Sequence, residues 1–446
     1  MISAKKTIYL VNIDFPPISG PGVWRILALA KYAAQSGFDV HVFCSDRSFW
    51  HNRQDNSLLS QLPEGVRVTR IKSIFANDLL DFFERWKMSS SPIKKRIGDQ
   101  LHWWITRYFP DQILHWALKA SVIILFKSLG DKPKAIFTTG PMHLVHIAGW
   151  VLSTFKPSTR WIMDYRDPWT GDPAYGQVFR GAYQEGLMSW LESRLTRKAN
   201  YVTSVSAGFL SAIKDQFGQN QSDNKFKLIP NGHDLELSEA IAKENASNLF
   251  ARESDHFVVH FNGTIQEGND TFQDLVEAIS IYNQKNTIKI VFSVCGANRR
   301  MMEMISALSL ESYFIDNGSL SQKRSQEISS GADALLVIVR SDLITARGVI
   351  PAKLYEALAL GKPVIALVPE QSDVRDILAA DTGSVCTSPS NVLDIEKSLS
   401  WIIDRNRNLD INTAETEALG RLQIAAQFSR RDLCKRILDL VENEPN

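Results

Sequence analysis

The chain has 446 residues, of which 44% are hydrophobic and 22% charged, with 50 basic and 49 acidic side chains. One hydrophobic core rarely supports this length, so we expect two globular domains. The formal net charge of +1 excludes a strongly basic or acidic protein, and we predict no nucleic-acid partner.

The first half of the sequence predicts alternating strands and helices. A strand over 7–13 leads through a loop rich in glycine and proline into a helix over 23–36 and a strand over 39–45. The same order continues with strands at 135–139, 160–164, 201–205 and 227–229 and with helices at 144–152 and 183–198. This repetition of βαβ units predicts a parallel sheet that binds ligands at its carboxyl edge.

The alternation restarts after the polar stretch 234–255. Strands are predicted at 256–262, 288–295, 334–340 and 363–368, and helices at 271–283, 299–308 and 351–360. The fold class is therefore α/β, with two Rossmann-like, doubly wound domains at 1–234 and 235–420 facing each other across a cleft. We expect the last segment, 421–446, to be a helix that crosses back onto the first domain.

The cysteines are spread singly along the chain, at Cys44, Cys295, Cys386 and Cys434. They show no CxxC spacing and no clustered histidines that would suggest zinc, so we predict buried thiols in a reducing cytoplasm and no metal site. The N-terminus shows no secretion signal, and no apolar stretch approaches the roughly 20 residues that span a bilayer. These features predict a cytoplasmic protein without a transmembrane helix.

Gly20 and Gly22 flank Pro21 between the first strand and its helix. Glycines allow backbone amides to approach a pyrophosphate, and a helix N-terminus attracts anions. A tight turn without any ligand explains the same residues, and both interpretations stay open. The loop lacks GxGxxG spacing, which argues against a nicotinamide-dependent enzyme.

The segment 350–366, IPAKLYEALALGKPVIA, predicts a helix that begins at Pro351. Lys353 and Glu356 share one helical face near its N-terminus, where a cation can meet phosphate and an acid can bind sugar hydroxyls. An exposed Lys–Glu pair without a ligand is the alternative interpretation.

This segment resembles the donor-binding segment of glycosyltransferase family 4, in which an acid at the place of Glu356 holds the ribose of a nucleotide-diphosphate sugar. Further segments extend the resemblance over almost the whole chain: FPPISGPG at 15–22 with Arg25, FPDQILHW at 109–116, TGPMHLVH at 139–146, MDYRDPW at 163–169, SVSAG at 204–208, IPNGHD at 229–234, and Gly263 with Thr264. The resemblance implies the GT-B fold and a sugar transfer that retains the anomeric configuration.

The residue patterns and the resemblance together predict roles for individual residues. Donor-binding residues are predicted at Gly20, Gly22, Gly263, Thr264, Arg347, Lys353 and Glu356, and acceptor-side residues at Arg25, His143 and His146.

Asp164, Arg166 and Asp167 follow a predicted strand, where such folds place reacting groups. Many family 4 enzymes have a histidine in the sugar pocket at the place of Arg166. We predict Asp167 and Arg166 as catalytic, with Asp167 closest to the transferred sugar. A structural Arg–Asp cluster, or an acceptor phosphate held by Arg166, remains open.

Two positions depart from the family pattern. Gly348 stands where a second acid is common, and residues 264–268 replace the usual basic pair after Gly263. The charge of the leaving diphosphate must then be met by other cations. Candidates are Arg347, Lys353, Arg340 and Arg299. No Asp-x-Asp signature occurs in a suitable context, so we expect a metal-independent reaction with no cofactor beyond the nucleotide sugar.

Residues 85–116 combine aromatic and basic side chains. They are Trp86, Trp103, Trp104, Tyr108, Phe109 and Trp116, with Arg85, Lys87, Lys94, Lys95, Arg96 and Arg107. Leu101, Trp104, Ile105 and Tyr108 fall on one helical face. This pattern is typical of helices at membrane surfaces and predicts peripheral contact with the inner membrane. A packed helix with a basic rim is the alternative.

The sequence thus predicts a glycosyltransferase of bacterial surface polysaccharide or related glycoconjugate synthesis. Its partners would be a nucleotide-sugar donor and a glycan or lipid-linked acceptor. Two alternatives share the fold: a sugar-nucleotide epimerase, which needs no acceptor site, and a non-catalytic partner subunit. Gly348 and the missing basic pair favour the latter alternative.

Overall fold

The computed structural model describes most of the chain. The described residues are 6–47, 54–74, 76–88, 91–108, 111–170, 182–244, 255–263, 271–340 and 346–442. Two compact units divide the chain, the first formed by residues 1–230 and 433–446 and the second by residues 231–432. The predicted boundaries were 234 and 421, so residues 421–432 belong to the second unit instead of the returning segment.

The first unit is built on a seven-stranded parallel sheet. Its strands are β1 Thr7–Val11, β2 Asp39–Ser45, β3 Arg67–Ile71, β4 Ala135–Gly140, β5 Arg160–Tyr165, β6 Tyr201–Ser204 and β7 Phe226–Leu228. Their order in the sheet is β3-β2-β1-β4-β5-β6-β7. Because β1 pairs with both β2 and β4, the winding direction changes there, and a crevice is expected at the carboxyl ends of these strands.

Helices cover both faces of this sheet. They are α1 Pro21–Gln35, α2 Ala76–Lys87, α3 Pro92–Tyr108, α4 Leu114–Asp131, α5 His146–Phe155, α6 Ala182–Lys198 and α7 Ala207–Phe217. Successive residues of β1 point into different cores. Ile8 clusters with residues of α1, while Tyr9 clusters with residues of α4 and α5. This alternation follows from the two-residue period of a strand and buries the sheet on both sides.

The second unit repeats this architecture with six parallel strands. They are β8 His256–Asn262, β9 Lys289–Cys295, β10 Phe314–Asp316, β11 Ala334–Ile338, β12 Val364–Leu367 and β13 Val385–Thr387, in the order β10-β9-β8-β11-β12-β13. Its helices are α8 Leu235–Glu244, α9 Thr271–Lys285, α10 Arg299–Ala307, α11 Gln322–Gly331, α12 Ala352–Ala359, α13 Asp373–Leu378, α14 Val392–Asn408 and α15 Ile411–Ala426. The prediction of two Rossmann-like, doubly wound sheets is confirmed.

The C-terminal segment differs from its prediction as one continuous helix. Helix α15 ends at Ala426, and α16 covers Arg430–Glu442. Between them the backbone pairs with His233, whose amide donates to the carbonyl of Phe428 at 3.0 Å and whose carbonyl accepts from the amide of Arg430 at 3.0 Å. This pairing uses backbone groups that a continuous helix would need, so the helix breaks there.

Beyond the break, α16 completes the core of the first unit. Leu433, Ile437 and Val441 are buried in the cluster that contains Ile8. At the end of α16, the guanidinium of Arg160 donates to the carbonyls of residues 440 and 441 at 3.0 and 2.6 Å. These two bonds satisfy carbonyls that a helix end leaves without an intrahelical partner.

The amphipathic region 85–116 is divided among three helices. Trp103 and Trp104 in α3 are about half exposed, whereas Trp116 in α4 is fully buried. Trp116 is therefore a core residue, and its inclusion in the predicted membrane-contacting region was wrong. Phe109 lies outside the described residues. Among the helices that the structure describes, none has both the length and the hydropathy needed to cross a membrane.

Candidate functional site

The carboxyl edge of the first sheet contains a buried carboxylate that is fully engaged. Asp164 near the end of β5 accepts two hydrogen bonds from Arg25, at 3.0 and 2.8 Å, and bonds of 2.7 and 2.5 Å from the hydroxyls of Thr139 and Thr203. The remaining terminal nitrogen of Arg25 donates to the carbonyl of Pro230 at 2.8 Å. The predicted acceptor-side residue Arg25 thus ties α1 to β5 and to the end of the unit.

Arg166 lies beside this network but is engaged differently. Its Nε donates to the carbonyl of Gly140 at 2.8 Å, while its buried Nη1 has no hydrogen-bond partner among the described residues. Its guanidinium packs against Gly22, where a side-chain Cβ would overlap with Nη1. Gly22 is therefore required for this close approach, a relation between two predicted site residues that sequence spacing did not reveal.

The charge of Arg166 is balanced by its surroundings. Burial lowers the pKa of its guanidinium, and the carboxylates of Asp167 and Asp164 oppose this effect. Asp167 follows directly and is half-buried. Its predicted position beside the transferred sugar stays a prediction.

His143 and His146, the other predicted acceptor-side residues, are buried beneath the same edge. Trp161 donates to the hydroxyl of Thr138 at 2.9 Å, and this hydroxyl lies 2.8 Å from His146 Nδ1. The Thr138 hydroxyl thus connects Trp161 to His146, and the direction of its bond with Nδ1 depends on the tautomer of the ring. Burial lowers the pKa of His146 to about 3 and that of His143 well below its usual value, so both rings are neutral.

The neutral histidines support the aromatic side chains around them. His143 stacks on Trp169 with ring centroids 5.2 Å apart, and His146 lies 5.8 Å from the ring of Tyr165. A buried neutral imidazole offers no positive charge to a phosphate. The ring contacts of His143 and His146 are therefore those of packing residues in the core next to Arg166.

In the second unit, Lys353 and Glu356 project from α12. The helix begins at Ala352, with Pro351 as its N-cap residue, so the prediction that Pro351 is the first helical residue was wrong by one position. Pro351 has an extended backbone, and its carbonyl accepts from the amide of Leu354 at 3.0 Å. Glu356 is half-buried and accepts a long hydrogen bond of 3.4 Å from Gln322, the first residue of α11.

The ammonium of Lys353 lies 4.0 Å from the centre of the Phe261 ring. Gly263 follows β8 with a φ of +147°, and a Cβ there would overlap with the same ammonium. Burial lowers the pKa of Lys353 to about 8, while the nearby charge of Glu356 opposes this shift. A glycine is thus needed at 263 both for the backbone angle and for the space that Lys353 occupies.

A buried polar chain beneath Lys353 was missed at the sequence level. Asn317 donates to the hydroxyl of Ser293 at 2.8 Å, and this hydroxyl lies 3.0 Å from His260 Nδ1. Burial, together with the charge of Lys353, lowers the pKa of His260 to about 4. The sequence does contain a sign of this chain, because each of two mainly apolar strands has a polar residue in its interior. In the sheet these two residues, His260 and Ser293, pair in register.

The remaining predicted donor-side residues are dispersed. Arg347 is exposed on the 3-10 turn Ala346–Gly348, and Arg299 is exposed and paired with Glu303 at 2.8 Å. Gly20 is the N-cap residue of α1 with open space around its Cα. Thr264 lies outside the described residues. Within the described part of the chain, no three His, Cys, Asp or Glu side chains are grouped to hold a metal ion.

The sequence matches no protein-family model and no curated protein at a significant level. Solved structures do match. A glycosyltransferase from Rickettsia africae is 13% identical over 98% of both chains, with a TM-score of 0.64. Anabaena HepE in complex with UDP and glucose is 14% identical over 98% of this chain and 99% of that one, with a TM-score of 0.61.

A third match is the pneumococcal O-GlcNAc transferase GtfA in complex with UDP and GlcNAc. It is 11% identical over 98% of this chain and 99% of that one, with a TM-score of 0.61. These likenesses show the fold, and the chain has the two-sheet GT-B fold of glycosyltransferases.

Proposed function

We propose that this protein is a retaining glycosyltransferase of family 4 type, which moves a sugar from a nucleotide-diphosphate sugar to a glycan or lipid-linked acceptor. The observation that carries the proposal is the pair Lys353 and Glu356 on α12, which follows β11 at the carboxyl edge of the second sheet. Two structures of the same fold contain UDP together with a sugar. The expected setting is bacterial surface polysaccharide synthesis, on the cytoplasmic side of the inner membrane.

In this proposal the two side chains of α12 have complementary tasks. Glu356 accepts hydrogen bonds from the ribose hydroxyls, and its existing long bond to Gln322 is replaced or shared when the nucleotide binds. Lys353 faces the diphosphate, helped by the N-terminus of α12 and by Arg347. These groups stabilise the negative charge that develops on the leaving nucleotide, so no metal ion is required.

Thermal unfolding with UDP, GDP, ADP, CMP and their sugars tests donor binding. The correct nucleotide at 100 times its dissociation constant should add about 2.7 kcal/mol of stability. Glu356→Ala should abolish this shift, whereas Glu303→Ala, which removes an exposed acid from α10, should keep it. The absence of a shift with every nucleotide would contradict the transferase and the epimerase together.

Acceptor dependence separates transfer from epimerisation. A transferase should release nucleotide from the matching donor when a membrane lipid extract is added, and EDTA should not prevent the release. An epimerase should convert the sugar without any acceptor. A donor-induced shift without release or conversion would support the non-catalytic alternative.

The pKa of Lys353 predicts how donor binding depends on pH. An ammonium with a pKa of about 8 is mostly charged at pH 7 and loses its proton as the pH rises through that value. Nucleotide-diphosphate affinity should therefore fall above pH 8, by up to tenfold per pH unit. Lys353→Ala should bind weakly at every pH, and Lys397→Ala, an exposed control, should behave as wild type.

Exposed apolar side chains support the proposed membrane contact. Helix α3 exposes Ile93, Trp103 and Trp104, and α4 exposes a row at helical spacing, formed by Leu118, Val122, Phe126 and Leu129. The sequence from 85 to 130 contains eight basic and two acidic residues. A positive surface with exposed aromatic and aliphatic groups is complementary to an anionic bilayer.

Co-sedimentation with vesicles tests this contact. The protein should bind vesicles of anionic phospholipid at low salt and be released from them at high salt. A Trp103→Ala and Trp104→Ala double variant should lose most of the binding, whereas Trp401→Ala, an exposed tryptophan of the second unit, should not. Failure of the wild-type protein to bind such vesicles would remove the membrane part of the proposal.

A further inference from the structure

Arg166 has an unused hydrogen-bond donor in a buried position. The residue is 8% exposed, and Nη1 has no hydrogen-bond partner in the part of the chain that the structure describes. Buried polar groups are almost always paired in folded proteins, and an arginine has no uncharged form at physiological pH. An unpaired guanidinium nitrogen at a sheet edge therefore indicates a partner that binds from outside.

The same nitrogen faces the N-terminus of α1. This helix has 15 residues, its N-cap residue is Gly20, and no side chain caps it. Pro21 contributes no backbone N–H, and Gly22 leaves the guanidinium in direct contact with the first turn. A helix N-terminus carries partial positive charge, so it adds to the charge of Arg166 at this point.

The charges around Arg166 indicate whether a phosphate or a carboxylate is the better partner for its free nitrogen. Arg25 and Asp164 are paired with each other, at 7% and 0% side-chain exposure. Arg166 is then left with Asp167 and Asp14 as nearby acids: burial lowers the pKa of Arg166, and these two carboxylates oppose that effect. A phosphate dianion would bring up to two further negative charges beside these acids, whereas a carboxylate brings one and matches the planar guanidinium.

We propose that Arg166 and the N-terminus of α1 form a carboxylate pocket, so that one of the two sugars handled by this protein is a uronic acid. The inference rests on the proposed glycosyltransferase function and names a substrate class for its first unit. Gly22 is the residue that makes the pocket, because any side chain there displaces the guanidinium from the helix terminus.

Binding of small probes to the full-length protein tests the pocket. Sodium glucuronate should bind at least tenfold more tightly than glucose in calorimetry at constant ionic strength, and more tightly than inorganic phosphate. Arg166→Gln should lose this preference, and Arg324→Gln, which changes an exposed arginine of α11, should keep it. Gly22→Ala should lose it as well, although this variant retains the charge of Arg166.

Three results would overturn the inference. The first is equal affinity for glucuronate and glucose, and the second is a higher affinity for phosphate than for glucuronate. The third is no binding of glucuronate at concentrations up to about 50-fold above the nucleotide concentration that saturates the nucleotide site. The folding of each variant is checked by cooperative thermal unfolding without any ligand. The nucleotide-induced shift of the wild-type protein, and its loss in Glu356→Ala, test the donor proposal separately, so that proposal can stand even if the pocket fails.

A second arm identifies which sugar carries the carboxylate. If the transferred sugar is the uronic acid, the nucleotide uronate should replace the matching nucleotide hexose as the better donor, and Arg166→Gln should reverse the preference. If the acceptor is the uronic acid, free glucuronate should compete with the acceptor and leave donor affinity unchanged. A wild-type protein that shows neither effect contradicts the pocket.

Discussion

The two edges of the first sheet contain polar clusters of opposite character. At the amino edge, Asp131 accepts from Tyr9 at 2.8 Å, from His41 at 3.3 Å, and from Arg67 at 3.1 and 3.0 Å. Thr69 completes this amino-edge cluster, 2.7 Å from His41 Nε2. At the carboxyl edge, Arg166 retains a buried nitrogen without a partner.

This difference distinguishes polar groups that stabilise the fold from polar groups that we propose bind a ligand. In the amino-edge cluster, burial would raise the pKa of Asp131, but hydrogen bonds from Arg67, Tyr9 and His41 lower it below its usual value. Its charge is thus satisfied within the unit. Arg166 differs, because its Nη1 has no hydrogen-bond partner among the described residues, and such incomplete satisfaction is tolerated where function requires it.

The largest effect is expected from Asp131→Ala in the amino-edge cluster. The change leaves the Tyr9 hydroxyl and His41 Nδ1 without their acceptor and should cost about 3 kcal/mol of unfolding free energy. Urea denaturation measures the loss. Asp223→Ala, which removes an exposed acid paired with Lys214, should change stability by less than about 0.5 kcal/mol. Equal losses in both variants would contradict the role of the amino-edge cluster.

Lowering the pH should have a somewhat smaller effect on stability, through the buried His146 near the carboxyl edge. His146 is fully buried with a pKa of about 3, while an unfolded histidine titrates near 6.5, so the unfolded chain binds the proton first. Stability from this group is complete above pH 6.5 and falls by about 2 kcal/mol by pH 5. His146→Gln should flatten the pH dependence between pH 7 and 5, and the exposed control His115→Gln should not.

Thr139→Val should cost less, about 1 kcal/mol, because it removes one of the four hydrogen bonds on Asp164 and preserves the side-chain shape. Thr154→Val, on an exposed helical position of α5, provides the control and should stay within about 0.5 kcal/mol. A loss above about 3 kcal/mol would mean that Asp164 depends on this hydroxyl far more than a shared network implies.

The smallest change in stability, and one of opposite sign, is expected from Arg166→Gln. Removing a buried cation with an unpaired nitrogen should leave the free energy of unfolding unchanged or raise it by up to about 1 kcal/mol. Arg25→Gln, which breaks a buried ion pair of the same unit, should by contrast lose up to about 3 kcal/mol. If both arginine variants are equally destabilised, Arg166 belongs to the structural network.

Periodicity predicted most of the fold because strands such as β1 and β8 are continuous apolar runs between turn residues. The break between α15 and α16 was not predictable, since it depends on backbone pairing with His233 about 200 residues earlier. The same limit applies to the site. Local spacing brings Lys353 and Glu356 together, but only the folded sheet brings Arg166 to Gly22.

The return of α16 to the first unit has a consequence for synthesis on the ribosome. The core around Ile8 lacks Leu433, Ile437 and Val441 until the whole second unit has been translated. Protein synthesis proceeds at about 5 to 20 residues per second, so roughly 10 to 40 s pass between the translation of β7 and that of α16. During this interval the apolar groove for α16 is open, and such transiently exposed hydrophobic surface promotes aggregation of folding intermediates.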